Sequence, residues 1–131
     1  MGETFRIGEV AAQTGCSVES IRHYEKLGLL PKAQRGEQGY RFYSRQMLER
    51  VSFIRHGRAL GLGLEAIKTL LDLVECPEAE CALADQVAER HLNEMKARIA
   101  ALQALVDQLE GLSKHCQGGL VRDCQILQAL K

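Results

Sequence analysis

The apolar side chains Leu92, Met95, Ile99, Leu102, Val106 and Leu109 recur at intervals of 3, 4, 3, 4 and 3. This is the seam of a heptad repeat, and it falls in the longest regular stretch of the chain, residues 82–113. A helix of that length is roughly 45 Å long at 1.5 Å rise per residue. No small domain covers such a helix along its whole length, so it requires a partner. A second copy in a two-fold dimer is the most economical one.

The residues before the seam follow a different pattern. Ile7, Val10 and Ala11 have the spacing of a short amphipathic helix, which Gly15 can end in a left-handed cap. Ser17 reads as the N-cap of a second helix, with Glu19 and Ser20 in its first turn and Gly28 as its stop. Two short helices around a tight glycine turn predict a helix-turn-helix. Gly36 and Gly39 then flank a hairpin turn, and Tyr40-Arg41-Phe42-Tyr43 has strand character, predicting a small β-wing. Ser44 caps a third helix bearing Met47, Leu48, Val51, Ile54 and Leu60, and residues 64–74 make a fourth. A short apolar helix closes the chain from about residue 125 to residue 130.

Charge is divided unevenly along the chain. The net charge is zero, yet residues 1–60 carry ten Lys/Arg against six acids, and residues 61–131 carry seven against eleven. The basic half points to an anionic partner at the N-terminal end. Arg22, His23 and Tyr24 on the second helix, with Tyr40 and Arg41 on the wing, suit a recognition helix in a DNA groove flanked by phosphate contacts. Aromatic residues make up only 5%, with no Trp, which favours helix over β-sandwich. No apolar run approaches the roughly 18 residues of a membrane span, and no signal-peptide core is visible. A cytoplasmic, mainly α protein without a membrane partner is the expectation. Five cysteines in a reducing compartment point to metal ligation or redox chemistry rather than disulfides.

The segments Arg6-Ile-Gly-Glu-Val-Ala11, Glu19-Ser-Ile-Arg-His-Tyr-Glu25, Gly28-Leu-Leu-Pro31, Gly39-Tyr-Arg-Phe-Tyr43 and Phe53-Ile-Arg-His56 closely resemble the MerR family of bacterial transcription regulators. The likeness runs over essentially the whole chain, in the family's order and spacing. It implies a winged helix-turn-helix DNA-binding domain with connecting helices over residues 1–75, and an acidic loop at 76–81. A long antiparallel coiled-coil dimerisation helix at 82–113 and a metal-binding loop with a short C-terminal helix at 114–131 complete it. It also implies promoter DNA contacts from Ser17, Glu19, Ser20, Arg22, His23, Tyr24, Tyr40 and Arg41, and RNA polymerase as a partner at the promoter. The chain would act as a homodimer, repressing or activating efflux and detoxification genes by distorting their promoter.

The remaining cysteines acquire a role in this frame. Cys81 precedes the long helix, while Cys116 and Cys124 follow it. Antiparallel pairing of two such helices would place Cys81 of one chain beside Cys116 and Cys124 of the other, giving two inter-subunit sites. Three thiolates suit soft cations. Family members that sense copper, silver or gold carry serine at the position matching Cys81. Cysteine there implies a divalent effector: mercury, cadmium, lead or zinc. Zinc generally takes a fourth ligand, for which Cys76, His115 and His91 are the auxiliary candidates. The seven residues between Cys116 and Cys124 resemble the copper-type loop length as much as a divalent one, which keeps a monovalent-ion sensor as the alternative reading. A same-fold regulator sensing thiol oxidation or an organic ligand is another. Cys16, in the helix-turn-helix turn, is read as structural.

Nothing points to an enzyme or an organic cofactor. No Gly-rich phosphate loop follows a strand, no His-Glu-x-x-His occurs, and no nucleophile elbow is present.

Overall fold

The computed structural model describes residues 3–36, 39–115 and 118–131, without the side chains of Gln34, Ser113, Lys114 and His115. The chain divides into two compact units, Met1–Ala84 and Asp85–Lys131.

The first unit holds β1 (Thr4–Phe5), α1 (Ile7–Thr14), α2 (Val18–Lys26), β2 (Gln34–Arg35), β3 (Arg41–Ser44), α3 (Arg45–Ala59) and α4 (Leu64–Val74). Its helix starts are set by side chains that satisfy otherwise orphaned amides. Ser17 Oγ accepts from the Ser20 amide at 3.1 Å, and Ser44 Oγ accepts from the Met47 amide at 3.1 Å. Glu9 reaches back to accept from the Arg6 amide at 3.1 Å, fixing the entry to α1. Gly15, at φ 79°, closes α1 with its amide on the Ala11 carbonyl at 2.9 Å, a left-handed cap that a Cβ would strain. The turn between α1 and α2 therefore has the glycine that the sequence called for.

The three strands form one antiparallel sheet in the order β1-β3-β2. Phe5 lies opposite Tyr43, and Arg35 opposite Arg41. The predicted wing is β2 and β3, closed by the Gly36 amide on the Tyr40 carbonyl at 2.9 Å. Strand β1 was not anticipated: it is two residues long and pairs with residues some forty positions later. A pattern of period two has no room to show in so short a strand.

Val10, Ile21, Leu29, Tyr43, Val51, Ile54, Ile67 and Leu71 form the fully buried centre of this unit. Helix α3 packs against α1, α4 and β3. Its approach to α4 depends on Gly57, where a Cβ would sit 2.9 Å from Ile67 Cγ1. The expected result of Gly57→Ala is destabilisation. Overpacking a filled core costs about 1–3 kcal/mol, against roughly 1 kcal/mol gained in helix propensity. A net loss near 1 kcal/mol lowers the melting temperature by about 4–8 °C in a unit of this size. A melting temperature at or above wild type would show that Ile67 moves aside without loss.

The second unit consists of most of α5 (Ala82–His115, 34 residues), a 3-10 turn (Val121–Asp123) and α6 (Gln125–Ala129). Helix α5 extends two residues past the expected end at 113. Within the chain its seam is largely uncovered: Ile99 is 67% exposed, Leu102 62% and Leu109 64%. No helix among the described residues is long and apolar enough to cross a membrane.

Candidate functional site

Helix α2 is amphipathic, with Ile21 in the core and Arg22, His23 and Lys26 exposed. Its capping leaves the two serines occupied at one end: the Ser17 hydroxyl donates to Ser20 Oγ at 2.9 Å while Ser17 Oγ also accepts from the backbone. Both stand at the start of the helix, with Glu19 exposed beside them. Tyr24 is half-buried against the core, its ring centroid 6.3 Å from that of His23.

Between α2 and the wing lies a cleft of about 650 Å³, lined by Arg22, Glu25, Lys26, Lys32, Ala33, Arg35 and Arg41. Five cations surround one carboxylate. Glu25 is only 9% exposed. It accepts a hydrogen bond from the Tyr43 hydroxyl, and Arg41 Nη1 stands 3.6 Å from its other oxygen. Arg41 and Tyr43 are two residues apart on β3, so the period of the strand brings both to one face, where they converge on Glu25. Burial first, and then the hydrogen bond to Glu25, push the Tyr43 phenol well above its ordinary range. The hydroxyl therefore stays protonated and continues to donate. These contacts tie α2 to β3 of the wing, and cationic side chains are presented on both.

At the wing tip the Arg6 guanidinium lies 4.3 Å from the Tyr40 ring centroid, and Tyr40 is 55% exposed. The stacking holds a cation and an aromatic face together at the surface. A surface with clustered cations, planar guanidiniums and an exposed aromatic ring is suited to a polyanion, above all a phosphate backbone.

Sequence reasoning placed Arg22, His23 and Tyr24 projecting from the helix and Tyr40 and Arg41 from the wing; the structure has all of them exposed except Tyr24, which is half-buried because its ring packs on the core. It missed Glu25 and Tyr43, which hold the two elements together, and Lys32, Arg35 and Arg6, which add charge. Lys32 and Arg35 were countable in the basic half; the period of two between Arg41 and Tyr43 was the available signal for the clamp.

The cysteines occupy separate settings. Cys16 is half-buried against the core, its amide on Thr14 Oγ1 at 3.3 Å, as befits a structural residue. Cys76 and Cys81 are exposed thiols. Cys76 sits in a turn in which its carbonyl accepts from the Ala79 amide at 2.9 Å, and Cys81 stands one residue before α5. Cys124 caps α6, its amide on the Val121 carbonyl at 3.1 Å. Cys116 lies outside the described residues, as does the side chain of His115. His91 is 16% exposed, with Nδ1 4.0 Å from Glu94 on its own helix. Among the described residues no three His, Cys, Asp or Glu side chains are grouped to hold a metal ion.

Known proteins resemble this chain in sequence and fold. Residues 5–73 match the "MerR HTH family regulatory protein" model, and residues 48–112 match "MerR, DNA binding". The mercuric resistance operon regulatory protein of Bacillus cereus is 35% identical over 127 residues, covering 96% of each chain. The transcription regulator PbrR691 from Ralstonia metallidurans, solved with lead(II), has a TM-score of 0.86 at 35% identity, covering 97% of this chain and 99% of that one. MerR of Bacillus megaterium, solved with mercury(II), has a TM-score of 0.74 at 31% identity, covering 96% and 98%.

Proposed function

The chain belongs to the MerR family of helix-turn-helix regulators, and from that premise we propose that it is a homodimeric, metal-responsive regulator of promoter DNA, acting in the cytoplasm. The observation that carries the metal reading is the position of two thiols about the dimer helix: Cys81 exposed one residue before α5, and Cys124 nine residues past its end. Cys81 of one chain, with Cys116 and Cys124 of the other, would hold a divalent soft ion: mercury, cadmium, lead or zinc. Such an ion would cross-link the two chains and offset two of the three thiolate charges. Cys76 and His91 stand as auxiliary donors, and His115 is a third.

The chain's own residues do the rest. Arg22, His23 and Lys26 enter the DNA groove, while Arg35, Tyr40 and Arg41 take phosphates from the wing. Without the ion the dimer holds the promoter in a shape that RNA polymerase does not read. Tying the 116–124 loop to the dimer helix shifts the DNA-binding domains and bends and untwists the duplex. Specificity of output then resides in deformation rather than recruitment.

The test is an anaerobic titration of the reduced protein with Hg(II), Cd(II), Pb(II), Zn(II) and Cu(I), following thiolate charge transfer or a competing chelator. The expected result is tight divalent binding at about one ion per protomer. Tight binding of Cu(I) alone would turn the reading to a monovalent-ion sensor, which the interval between Cys116 and Cys124 would accommodate. No metal binding together with activation by peroxide would turn it to a thiol-oxidation sensor.

A further inference from the structure

One side chain touches both the exit of α2 and the entrance to the cysteine-bearing loop. Arg50, in the first half of α3, is 18% exposed. Its Nη2 donates to the Leu29 carbonyl at 3.0 Å. Its Nη1 donates to the carboxylate of Glu75, the C-terminal cap of α4 and the residue before Cys76. The Leu29 peptide is held from the other side as well, its amide donating to the Tyr24 carbonyl in the last turn of α2 at 3.0 Å. An unbroken run of bonded groups thus leads from the recognition helix through Leu29 and Arg50 to Glu75 and the loop behind it.

We propose that Arg50 is a positioning residue that transmits movement of the 76–81 loop to the orientation of α2. The inference rests on the metal-responsive reading above. A guanidinium is a rigid planar fork, so a displacement at one prong is delivered to the other; an ammonium on a flexible stem would absorb it. Arg50 Nε is buried with no hydrogen-bond partner among the described residues. A buried donor left unmet costs free energy, so the group is held where its two outer contacts need it, not where all its donors would be satisfied. Glu75 is 56% exposed, which makes that prong the one that can shift without disturbing the core.

The test uses the full chain, Hg(II) as the probe ion, and a duplex selected for affinity from a randomised pool, with 2-aminopurine at its centre to report unstacking. Glu75→Gln and Arg50→Lys should bind Hg(II) with wild-type stoichiometry and the duplex with nearly wild-type affinity. Their Hg(II)-dependent fluorescence change should fall by at least roughly threefold, within the range by which intervening residues modulate coupling. Without metal, Arg50→Lys should speed amide exchange over residues 27–30 and leave α1 unchanged; a merely stabilising residue would move both. A full fluorescence change in both variants, or loss of duplex binding in both, overturns the proposal. Absence of any Hg(II)-dependent change in the wild type is the separate outcome in which the functional reading itself fails, and the coupling with it.

Discussion

Replacing Cys81 with serine is expected to weaken Cd(II), Pb(II) and Zn(II) binding by more than about 100-fold, because loss of a supporting group behind a ligand already costs roughly 10–100-fold. The substitution removes a soft, ionisable sulfur and supplies a hard hydroxyl that stays neutral near pH 7. Cu(I) makes the contrasting arm. Two thiolates suffice for it, so its affinity should change little, and the ratio of divalent to Cu(I) affinity should collapse. Cys81 is exposed and takes no part in the core, so folding and metal-free duplex binding should be preserved. Competition titrations of wild type and variant with a common chelator measure the ratio directly. Unchanged Cd(II) and Zn(II) affinities in Cys81→Ser would remove this thiol from the site.

The parts of the molecule legible in the sequence are those governed by local chemistry. Ser17 and Ser44 mark helix starts because their hydroxyls accept amides that no helical carbonyl can reach, and Gly15 marks a stop because of its positive φ. Helix α5 was legible from its seam, whose repeat persists over several turns. What stayed hidden depends on contacts between residues far apart in the chain. Glu25 reads as one more acid on a helix surface until Tyr43, 18 residues later, donates to it. Arg50 reads as one of ten cations in the basic half until Leu29 and Glu75 are found at its two ends.

The candidate site divides along the same line. The cationic helix and wing could be named from charge, spacing and resemblance. The carboxylate of Glu25 that links them could not, because a pattern search for DNA contacts counts positive charge and passes over the single negative one. The thiols are the reverse case. Their sequence positions, not any grouping among the described residues, are what point to metal chemistry.

The paired substitution Ile99→Asp and Leu102→Asp is expected to abolish dimerisation, and with it both other activities. The two side chains are 67% and 62% exposed in the isolated chain, so neither contributes to the fold of its own unit. In a dimer each would face the partner helix, and every charge introduced appears twice. Burying an unpaired carboxylate costs several kcal/mol, and four of them exceed what the apolar seam returns. Most helical stability in proteins comes from packing of the apolar face, so an unpaired α5 should lose helical content, visible as a partial loss of far-ultraviolet ellipticity, while the first unit retains its core. Sedimentation at micromolar concentration should give the 14.6 kDa of one chain for the variant, against twice that for the wild type. Duplex affinity should drop by at least about 100-fold, since a single half-site loses the contacts of its two-fold mate. Lys96→Asp is the control, a charge reversal off the seam that should leave the dimer intact. A double variant that still sediments as a dimer would place the pairing surface elsewhere on the chain, and the inter-subunit thiolate site would then have no geometry to support it.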